Sequence, residues 1–473
     1  MRFPLLGGSG EERFDDVSGA LTQNWYVNKS RKGKSQVSLY PTPGLTLFSD
    51  VGDGPHRGSI KYNDAAFMVS GNELYELNAG GGWVLRGTLN TSQGRVGMAH
   101  NGADNGQQLM IVDGTNGYIW DSGASTFTVI ADADYPDTAT HVLFFDGFFV
   151  VNDPSVTGRF YKSDSYDGTA WDALDFATAE RDPDKLLGML ISNRSLWLIG
   201  EDTAEKWYNS GAADFPYEPD QSGLSEWGTI APYSLIDVTG MAFWLSNNEE
   251  GQGLVVMTAG GTPQVISTPE IAAEISKMSV ISDCYTWSYQ YQQHAFVVFI
   301  FPTAQKTLFY DILTQEWGTW VSKDLGYHRS ASHSFVFGKH LIGDPQNGKV
   351  YELDWDNFTD NGDQIIRKRI SQKIHAEDKA LKHEGVWLDM KEGVGNTDVE
   401  DPVVNLRFRN NNGAWSNYKQ RSVGKIGERG KKIVYRRLGR SYDREYEIMV
   451  SEPYEAVIVD AFARLDADER EIG

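Results

Sequence analysis

A regular spacing of apolar segments constrains the fold of this chain more than any other feature. Seven short apolar runs recur over the first 355 residues at steps of 42, 39, 48, 45, 55 and 43 residues, centred on Val69, Ile111, Val150, Leu198, Phe243, Val298 and Leu341. Each run is rich in aromatic or β-branched residues and is bounded by Gly, Asn or Asp, which indicates β-strands. Periods of roughly 40 to 50 residues are typical of propeller blades. The spacing therefore predicts an all-β chain built mainly as a six- or seven-bladed β-propeller.

Each repeat contains enough further strands to complete a blade. The apolar strand is followed by a turn and a strand that combines an aromatic with an acid or amide, as in YIWD at residues 118–121. Four antiparallel strands would use the full repeat, with the most apolar strand near the axis and the aromatics between blades. A β-sandwich or a transmembrane barrel does not require this spacing. A short helix is predicted at residues 267–277, where Ser or Thr precedes Pro and Glu.

The pattern changes near residue 365, where polar strands begin to alternate cleanly. This alternation predicts a separate small C-terminal antiparallel domain resembling a β-sandwich. The predicted division is an extended N-terminal segment at 1–57, a propeller at 58–362, the small β domain at 363–466 and a charged tail at 467–473. We expect the N-terminal segment to close the propeller through residues 37–39 or 46–48.

Composition excludes several classes of protein. One cysteine, Cys284, leaves no disulfide framework and no thiolate zinc cluster, and we expect a core thiol there. The longest apolar run, residues 295–301, is far below the roughly 20 residues that cross a bilayer, so no membrane-spanning segment is predicted. The first residues lack the apolar core of a secretory signal, which predicts folding in a cytoplasm. The net charge of −22 argues against a general DNA-coating protein.

No catalytic, cofactor or metal site is predicted. The segment SDSYDGTAW at 163–171 is similar to the Asp-box turn of sialidase-like propellers, and we interpret it as a structural hairpin turn. Asp132, Asp134 and Asp137 lack the glutamate of a calcium loop and predict a solvated acidic loop. No histidine pair has metal-ligand spacing on a helix, although His328, His333 and His340 lie near one another in the sequence. The many carboxylates leave a glycosidase pair as an enzymatic alternative.

A basic segment follows in the C-terminal part of the chain. Residues 419–444 contain ten Lys or Arg against Glu428 and Asp443. The candidate partner-facing cluster consists of Lys425, Arg429, Lys431, Lys432, Arg436, Arg437, Arg440 and Arg444. It fits docking on an acidic protein neighbour better than on DNA, because the rest of the chain repels phosphate. The competing interpretation is a solvated strand pair whose charges keep a sheet edge from aggregating.

Several segments, taken in order, resemble the packaged-DNA stabilisation proteins of short-tailed bacteriophages. The central one, residues 179–211, has an Ala-Glu-x-x-Pro-Asp turn, an apolar strand ending at Gly200 and a Thr-x-Glu-x-Trp strand ending at Trp207. The other segments are WYVN at 25–28, PTPGLT at 41–46, GRVGMAHNG at 94–102, SYDGTAW at 165–171, WGTIAPYS at 227–234 and YRRLGR at 435–440.

This resemblance implies a non-enzymatic structural protein of the virion tail, made in the host cytoplasm. It implies a homohexameric ring, the tail hub or nozzle, below the portal and its adaptor protein. Such a ring retains the packaged double-stranded DNA, which passes through its lumen, and attaches the tail needle and a tailspike or tail fibre. The alternatives are a carbohydrate-binding or polysaccharide-processing β-propeller, and a cytoplasmic scaffold of the kelch or WD type.

Overall fold

The computed structural model describes residues 6–11, 19–30, 35–102, 106–179, 184–248, 251–375 and 379–468. These residues form seven blade sheets in a propeller and, beside it, two further layers of strands that pack as a sandwich. The predicted all-β class, the propeller and the sandwich-like domain are confirmed. Within the described ranges the blade count is seven, the upper of the two predicted values.

Blades 1 to 4 follow the chain, with four antiparallel strands in each. Blade 1 contains His56–Tyr62, Ala65–Ser70, Glu73–Leu77 and Trp83–Thr88. Blade 2 contains Gly97–His100, Gln108–Val112, Gly117–Asp121 and Thr126–Val129. Blade 3 contains Val142–Phe145, Phe148–Asn152, Arg159–Asp164 and Asp167–Thr178. Blade 4 contains Leu186–Ser192, Ser195–Gly200, Ala204–Asn209 and Tyr217–Ser225.

Blades 5 to 7 depart from this plan. In blade 5, Met241–Asn248 pairs with two short inner strands, and the blade contains Gly228–Thr229, Ile236–Val238, Met241–Asn248, Gly251–Thr258 and Gln264–Val265. A 3-10 turn, Pro232–Ser234, lies between the two inner strands. Blade 6 contains Tyr285–Tyr291, His294–Phe301, Lys306–Asp311 and Glu316–Thr319. Blade 7 contains Ser332–Val336, Lys339–Gly343, Lys349–Asp354 and the N-terminal strand Gly44–Asp50, with Thr359–Asp360 and Asp363–Gln364 at its outer edge.

The two ends of the propeller segment meet in blade 7. Gly44–Asp50 pairs antiparallel with Lys349–Asp354, and the first strand of blade 7 contacts the first strand of blade 1. The pairing strand includes residues 46–48, one of the two segments expected to close the ring. Gly44 is required at this junction, because an added Cβ would lie 2.4 Å from the carbonyl oxygen of Asn357. This pairing removes an exposed sheet edge and joins the strand Gly44–Asp50 to the last strand of the propeller segment, Lys349–Asp354.

The periodic apolar cores form the second strand of every blade. In blade 1 the strand Ala65–Ser70 is buried along its whole length, because neighbouring blades cover both of its faces. Seven apolar clusters occupy the interfaces between adjacent blades around the ring. Aromatics lie in these interfaces as predicted: Trp197 of blade 4 and Trp244 of blade 5 have ring centroids 6.3 Å apart.

The helix Pro269–Ser276 confirms the predicted short helix. Thr268 caps it by accepting a hydrogen bond from the amide of Ile271, and Pro269 and Glu270 occupy its first turn. Ile271 and Ile275 are fully buried between blades 5 and 6. The helix therefore fills the space beside these two blades rather than extending a sheet.

The sandwich combines both ends of the chain. One sheet contains Trp25–Lys29, Val37–Pro41, Ile458–Asp468, Ala380–Met390, Ile433–Arg436 and Arg440–Ser441. The facing strands are Arg367–Ile370, Ile374–His375, Asp443–Val450, Val403–Asn410 and Lys419–Ser422. The core between them includes Trp25 and Leu39 from the N-terminal hairpin, so residues 37–39 belong to the sandwich instead of closing the propeller. The boundaries at 57, 362 and 466 stay predictions.

A continuous sheet joins the sandwich to blade 6. The strand Gly19–Gln23 pairs with Gly10–Glu11 and Arg367–Ile370, and Gln23 pairs with Thr319 of blade 6. Next to it, the buried Asn24 amide donates to the carbonyl oxygens of Val321 and Ile366, and its oxygen accepts from the Val321 amide. These bonds fix the sandwich against the outer edge of blade 6.

In the described part of the chain, no helix has the length and apolar character that crossing a membrane would require.

Candidate interaction surfaces

The basic cluster lies along one edge of the sandwich and in the loop before it. Lys425, Arg429, Lys432, Arg436 and Arg437 are exposed. Arg440 is also exposed, whereas Lys431 is half-buried. Alternation explains the exposure of Lys432 and Arg436, because Ile433 and Tyr435 of the edge strand point into the core and the residues on either side of them face outward.

Arg444 is an exception, and its assignment as partner-facing was wrong. Its side chain is 1% exposed. Its guanidinium donates to the carbonyl oxygen of Leu438 at 2.7 Å and to Oδ1 of Asn410 at 2.8 Å, and it stacks on Phe408. Arg444 is the second residue of the central strand Asp443–Val450, and its side chain points inward and packs in the sandwich.

Acidic neighbours neutralise part of the cluster. Lys425 forms an ion pair with Glu400 at 2.6 Å, and Lys431 forms one with Glu428 at 3.1 Å. Within the described residues, Arg429, Lys432, Arg436 and Arg437 have no acidic side chain at ion-pair distance. The unneutralised charge is therefore concentrated at Arg429 and along the edge strand.

Strand pairing adds a lysine that the sequence did not single out. Lys382 is directly opposite Arg440, and Gly385 of the same strand is opposite Arg436. Lys382 itself forms an ion pair with Glu384 at 3.2 Å. We call Lys382, Lys432, Arg436, Arg437 and Arg440 the basic edge. No sequence signal predicted Lys382, because its proximity depends on pairing between strands that are far apart in the chain.

A second surface is the central cavity of the propeller. The innermost strands of blades 1, 2, 5, 6 and 7 line a cavity of about 240 Å³ that is open to solvent on one side. Arg95, in the loop before blade 2, lies against it, and its Cζ is 4.0 Å from the ring centroid of Tyr285 and 5.7 Å from that of Tyr233. Two of the segments that carry the family resemblance, 94–102 and 227–234, therefore meet here.

Arg57 positions the loop that carries Arg95. Arg57 is 2% exposed, and its guanidinium donates to the carbonyl oxygens of Gly71, Thr91, Gln93 and Gly94 and to the Thr91 hydroxyl, at distances of 2.6–3.1 Å. A cation can be buried when carbonyl oxygens replace its water shell in this way. Sequence reasoning missed both arginines, since neither lies in a charge run.

The Asp-box-like turn has a structural role in this chain. Trp171 is buried, and its indole N–H donates to the carbonyl oxygen of Gly168 at 2.9 Å. Oδ1 of Asp167 accepts from the amide and hydroxyl of Thr169 and from Gln108. Burial opposes ionisation of Asp167, but these hydrogen bonds prevail and lower its pKa. Such a carboxyl is a poor general acid, which fits the interpretation as a hairpin turn.

The acidic loop and the histidine group are also held by internal contacts. Asp132 accepts from the amides of Asp134 and Trp171. His333 and His340 share a hydrogen bond of 3.0 Å, and burial lowers the pKa of His333 to about 3. Across the described ranges, no three His, Cys, Asp or Glu side chains are grouped so as to hold a metal ion. Cys284 is buried beside blades 5 and 6, which confirms the core thiol.

Acidification is expected to destabilise the sandwich through His383. This buried ring contacts the Ser441 hydroxyl at 2.9 Å and the Tyr446 hydroxyl at 2.7 Å, and burial together with nearby Arg444 lowers its pKa to about 3. The unfolded chain, with a histidine pKa near 6.5, binds the proton first, so stability is lost as the pH falls from about 6.5 towards 3. Between pH 7 and pH 5 we expect the free energy of unfolding to fall by about 2 kcal/mol because of this residue.

Urea unfolding at both pH values measures this effect. The variant His383→Gln should lose less stability between pH 7 and pH 5 than the parent, because the other buried histidines are unchanged. Equal losses in both proteins would show that His383 does not titrate in this way.

The fold and these two surfaces define a β-propeller protein with an attached β-sandwich. Residues 1–357 match the family model described as "Bacteriophage P22 Gp10, beta-propeller", which covers well over half of the chain. The chain belongs to this family of phage stabilisation proteins, so it is a phage structural protein with a role in DNA stabilisation, as the resemblance implied. The match ends before the basic edge, and the resemblance at residues 435–440 stays a prediction.

Solved structures are more distantly similar. The N-terminal domain of Nup159 shares 8% identity, with a TM-score of 0.42, over 71% of this chain and 99% of that chain. The WD40 propeller domain of Doa1 shares 12% identity, with a TM-score of 0.41, over 65% of this chain and 97% of that chain. A chain of the mitotic checkpoint complex shares 12% identity, with a TM-score of 0.44, over 69% of this chain and 95% of that chain. No curated protein matches the sequence.

Proposed function

We propose that this protein is a non-enzymatic subunit of a homohexameric ring in the virion tail, the hub or nozzle below the portal and its adaptor protein. The ring retains the packaged DNA and offers attachment sites to the tail needle and to a tailspike or tail fibre. Membership in the phage stabilisation family is the observation that carries this proposal.

The construction of the chain supports a ring subunit. Blade 6 and the sandwich share a sheet, and the Asn24 amide bridges them, so propeller and sandwich form one stiff wedge. Closed oligomeric rings need subunits that keep a constant angle between their contact surfaces. The propeller supplies bulk, and the sandwich supplies a second surface held at a fixed position.

The path of the DNA in this proposal is the lumen of the ring, not the axis of a propeller. The central cavity of about 240 Å³ has the volume of about eight liquid waters, far too little for a duplex. The chain carries a net charge of −22, and an acidic lumen lets DNA move without adhering. The basic edge, in contrast, suits an acidic protein neighbour.

Electron microscopy and mass measurement test the assembly. The purified full-length protein is imaged alone and after mixing with particles that carry portal and adaptor. We expect a closed ring in at least the mixed sample. A persistent monomer in both samples would contradict the proposal and favour the carbohydrate-binding alternative.

Charge reversal tests the docking surface within that assay. We expect Lys432→Glu/Arg436→Glu/Arg437→Glu to weaken binding to adaptor-bearing particles or ring closure by about tenfold or more at low salt. The difference should shrink at high salt, because exposed charges are screened. The fold should remain intact, since all three side chains are exposed on the sandwich surface.

The matched control is Lys61→Glu/Arg194→Glu/Lys277→Glu, which changes the net charge equally at exposed positions on the propeller. It should assemble like the parent. Equal weakening of both variants would assign the effect to net charge, and no weakening of the first would leave the basic edge as a solvated surface only.

A further inference from the structure

The central cavity combines a fixed positive charge with a lining that contains no carboxylate. Its lining residues come from blades 1, 2, 5, 6 and 7, and none is Asp or Glu. This is unusual in a chain with 65 acidic residues against 43 basic ones. An anion entering the cavity would meet one guanidinium and no like charge within the lining.

Arg95 supplies that guanidinium without a protein counter-ion. Its charge lies over the Tyr285 ring at 4.0 Å, and no carboxylate of the described residues is within ion-pair distance of it. Burial lowers the pKa of Arg95, although an arginine stays protonated in proteins. Arg95 is half-buried, and ring faces compensate its charge only in part, so its N–H groups retain capacity for an acceptor.

Three further polar groups at the cavity lack partners. Ser59, Ser332 and Trp287 line it, and the two hydroxyls and the indole N–H are buried without a hydrogen bond in the described structure. Ser332 and Trp287 are each 4% exposed. An indole N–H can only donate, and buried donors are nearly always satisfied in folded proteins. An acceptor would satisfy all three groups, because each serine hydroxyl can also donate.

The loop bearing Arg95 is fixed in advance. Arg57 binds the carbonyl oxygens of Thr91, Gln93 and Gly94, immediately before Arg95. The hydroxyl of Tyr233 lies 3.5 Å from the Arg95 carbonyl oxygen, and the Tyr233 ring stacks on His141. A donor set that is rigid before binding loses little entropy when it takes up a ligand.

We propose that this cavity binds a small oxyanion, a phosphate, sulfate or carboxylate group, with Arg95 as its charge partner. The volume of about 240 Å³ admits such a group together with several waters. The hydroxyls of Ser59 and Ser332 and the indole of Trp287 provide the remaining donors. The site is independent of ring assembly, because it lies within one propeller.

Selenate locates the site directly, since it is an oxyanion that contains an anomalous scatterer. Crystals of the full-length protein are soaked in sodium selenate, and we expect an anomalous peak beside Arg95 inside the cavity. Calorimetric titrations with phosphate, sulfate and acetate at constant ionic strength identify which oxyanion binds most tightly. An empty cavity together with no saturable binding of any of the three would overturn the proposal.

Substitution assigns the charge partner. Arg95→Gln should weaken binding of the preferred anion by about tenfold or more, because it removes a charged donor. Arg194→Gln, at an exposed turn of blade 4, should bind like the parent. Unchanged affinity in Arg95→Gln would refute the assignment. If that variant fails to fold, the test is Ser332→Ala together with the selenate map. Ser332→Ala should bind the preferred anion several-fold more weakly than the parent. Parent-like affinity in this variant would count against the site.

Discussion

Replacing Arg57 with methionine is expected to lower the free energy of unfolding by about 3 to 5 kcal/mol. Methionine is apolar and similar in length, so the main loss is the set of five hydrogen bonds that the guanidinium donates. Bonds to a charged group are each worth about 1.5 to 3 kcal/mol, and the abandoned carbonyl oxygens must find water. Repacking and the relief of burying a charge offset part of this sum.

Urea unfolding monitored by tryptophan fluorescence measures the loss. Arg86→Met is a suitable control, because Arg86 forms a partly exposed pair with Glu76 at 2.8 Å, and such pairs contribute about 0 to 1 kcal/mol. Hydrogen exchange should also rise in the amides of residues 91–96, which Arg57 holds. A loss no larger than that of Arg86→Met would show that carbonyl contacts to Arg57 do not stabilise the propeller.

The repeating architecture could be predicted from the sequence because the same local constraint acts in every blade. A second strand covered on both faces must be apolar over several residues, and this leaves a mark at each repeat. Even the longest step, from Phe243 to Val298, has a physical explanation: the helix Pro269–Ser276 is inserted between blades 5 and 6.

Contacts between distant segments left no such mark. Leu39 pairs with Ile458, and nothing in the sequence near either residue distinguishes a sandwich strand from one that closes a propeller. Residues 37–39 and 46–48 both alternate well enough to pair at a sheet edge, and only the three-dimensional arrangement assigns them to different sheets.

The candidate sites show the same division. Charge density in 419–444 indicated the basic edge, but the number of charges could not reveal that Arg444 points inward while Lys382 joins from another strand. The cavity could not be predicted from the sequence, because Arg95 is a single arginine in a glycine-containing loop. Its significance depends on two tyrosines that lie 138 and 190 residues further along the chain.

Replacing Trp25 with alanine is expected to destabilise the sandwich by about 3 to 5 kcal/mol. Trp25 is fully buried in the sandwich core, and its indole N–H donates to the Ala456 carbonyl oxygen at 2.8 Å. The substitution therefore opens a large cavity and leaves a buried acceptor unpaired. Trp25→Phe keeps most of the ring contact and should cost less than half as much.

Hydrogen exchange distinguishes the affected unit. In Trp25→Ala, exchange should accelerate in Ala380–Met390 and Ile458–Asp468, while blades 2 to 4 remain protected. Trp197→Ala, a matched removal of a fully buried indole from blade 4, should give the reverse pattern. Because Trp25 lies more than 300 residues before the C-terminal strands of the sandwich, faster exchange confined to the propeller would refute the placement of the N-terminal hairpin. Protection lost equally in both units would instead show that the shared sheet at blade 6 makes them unfold together.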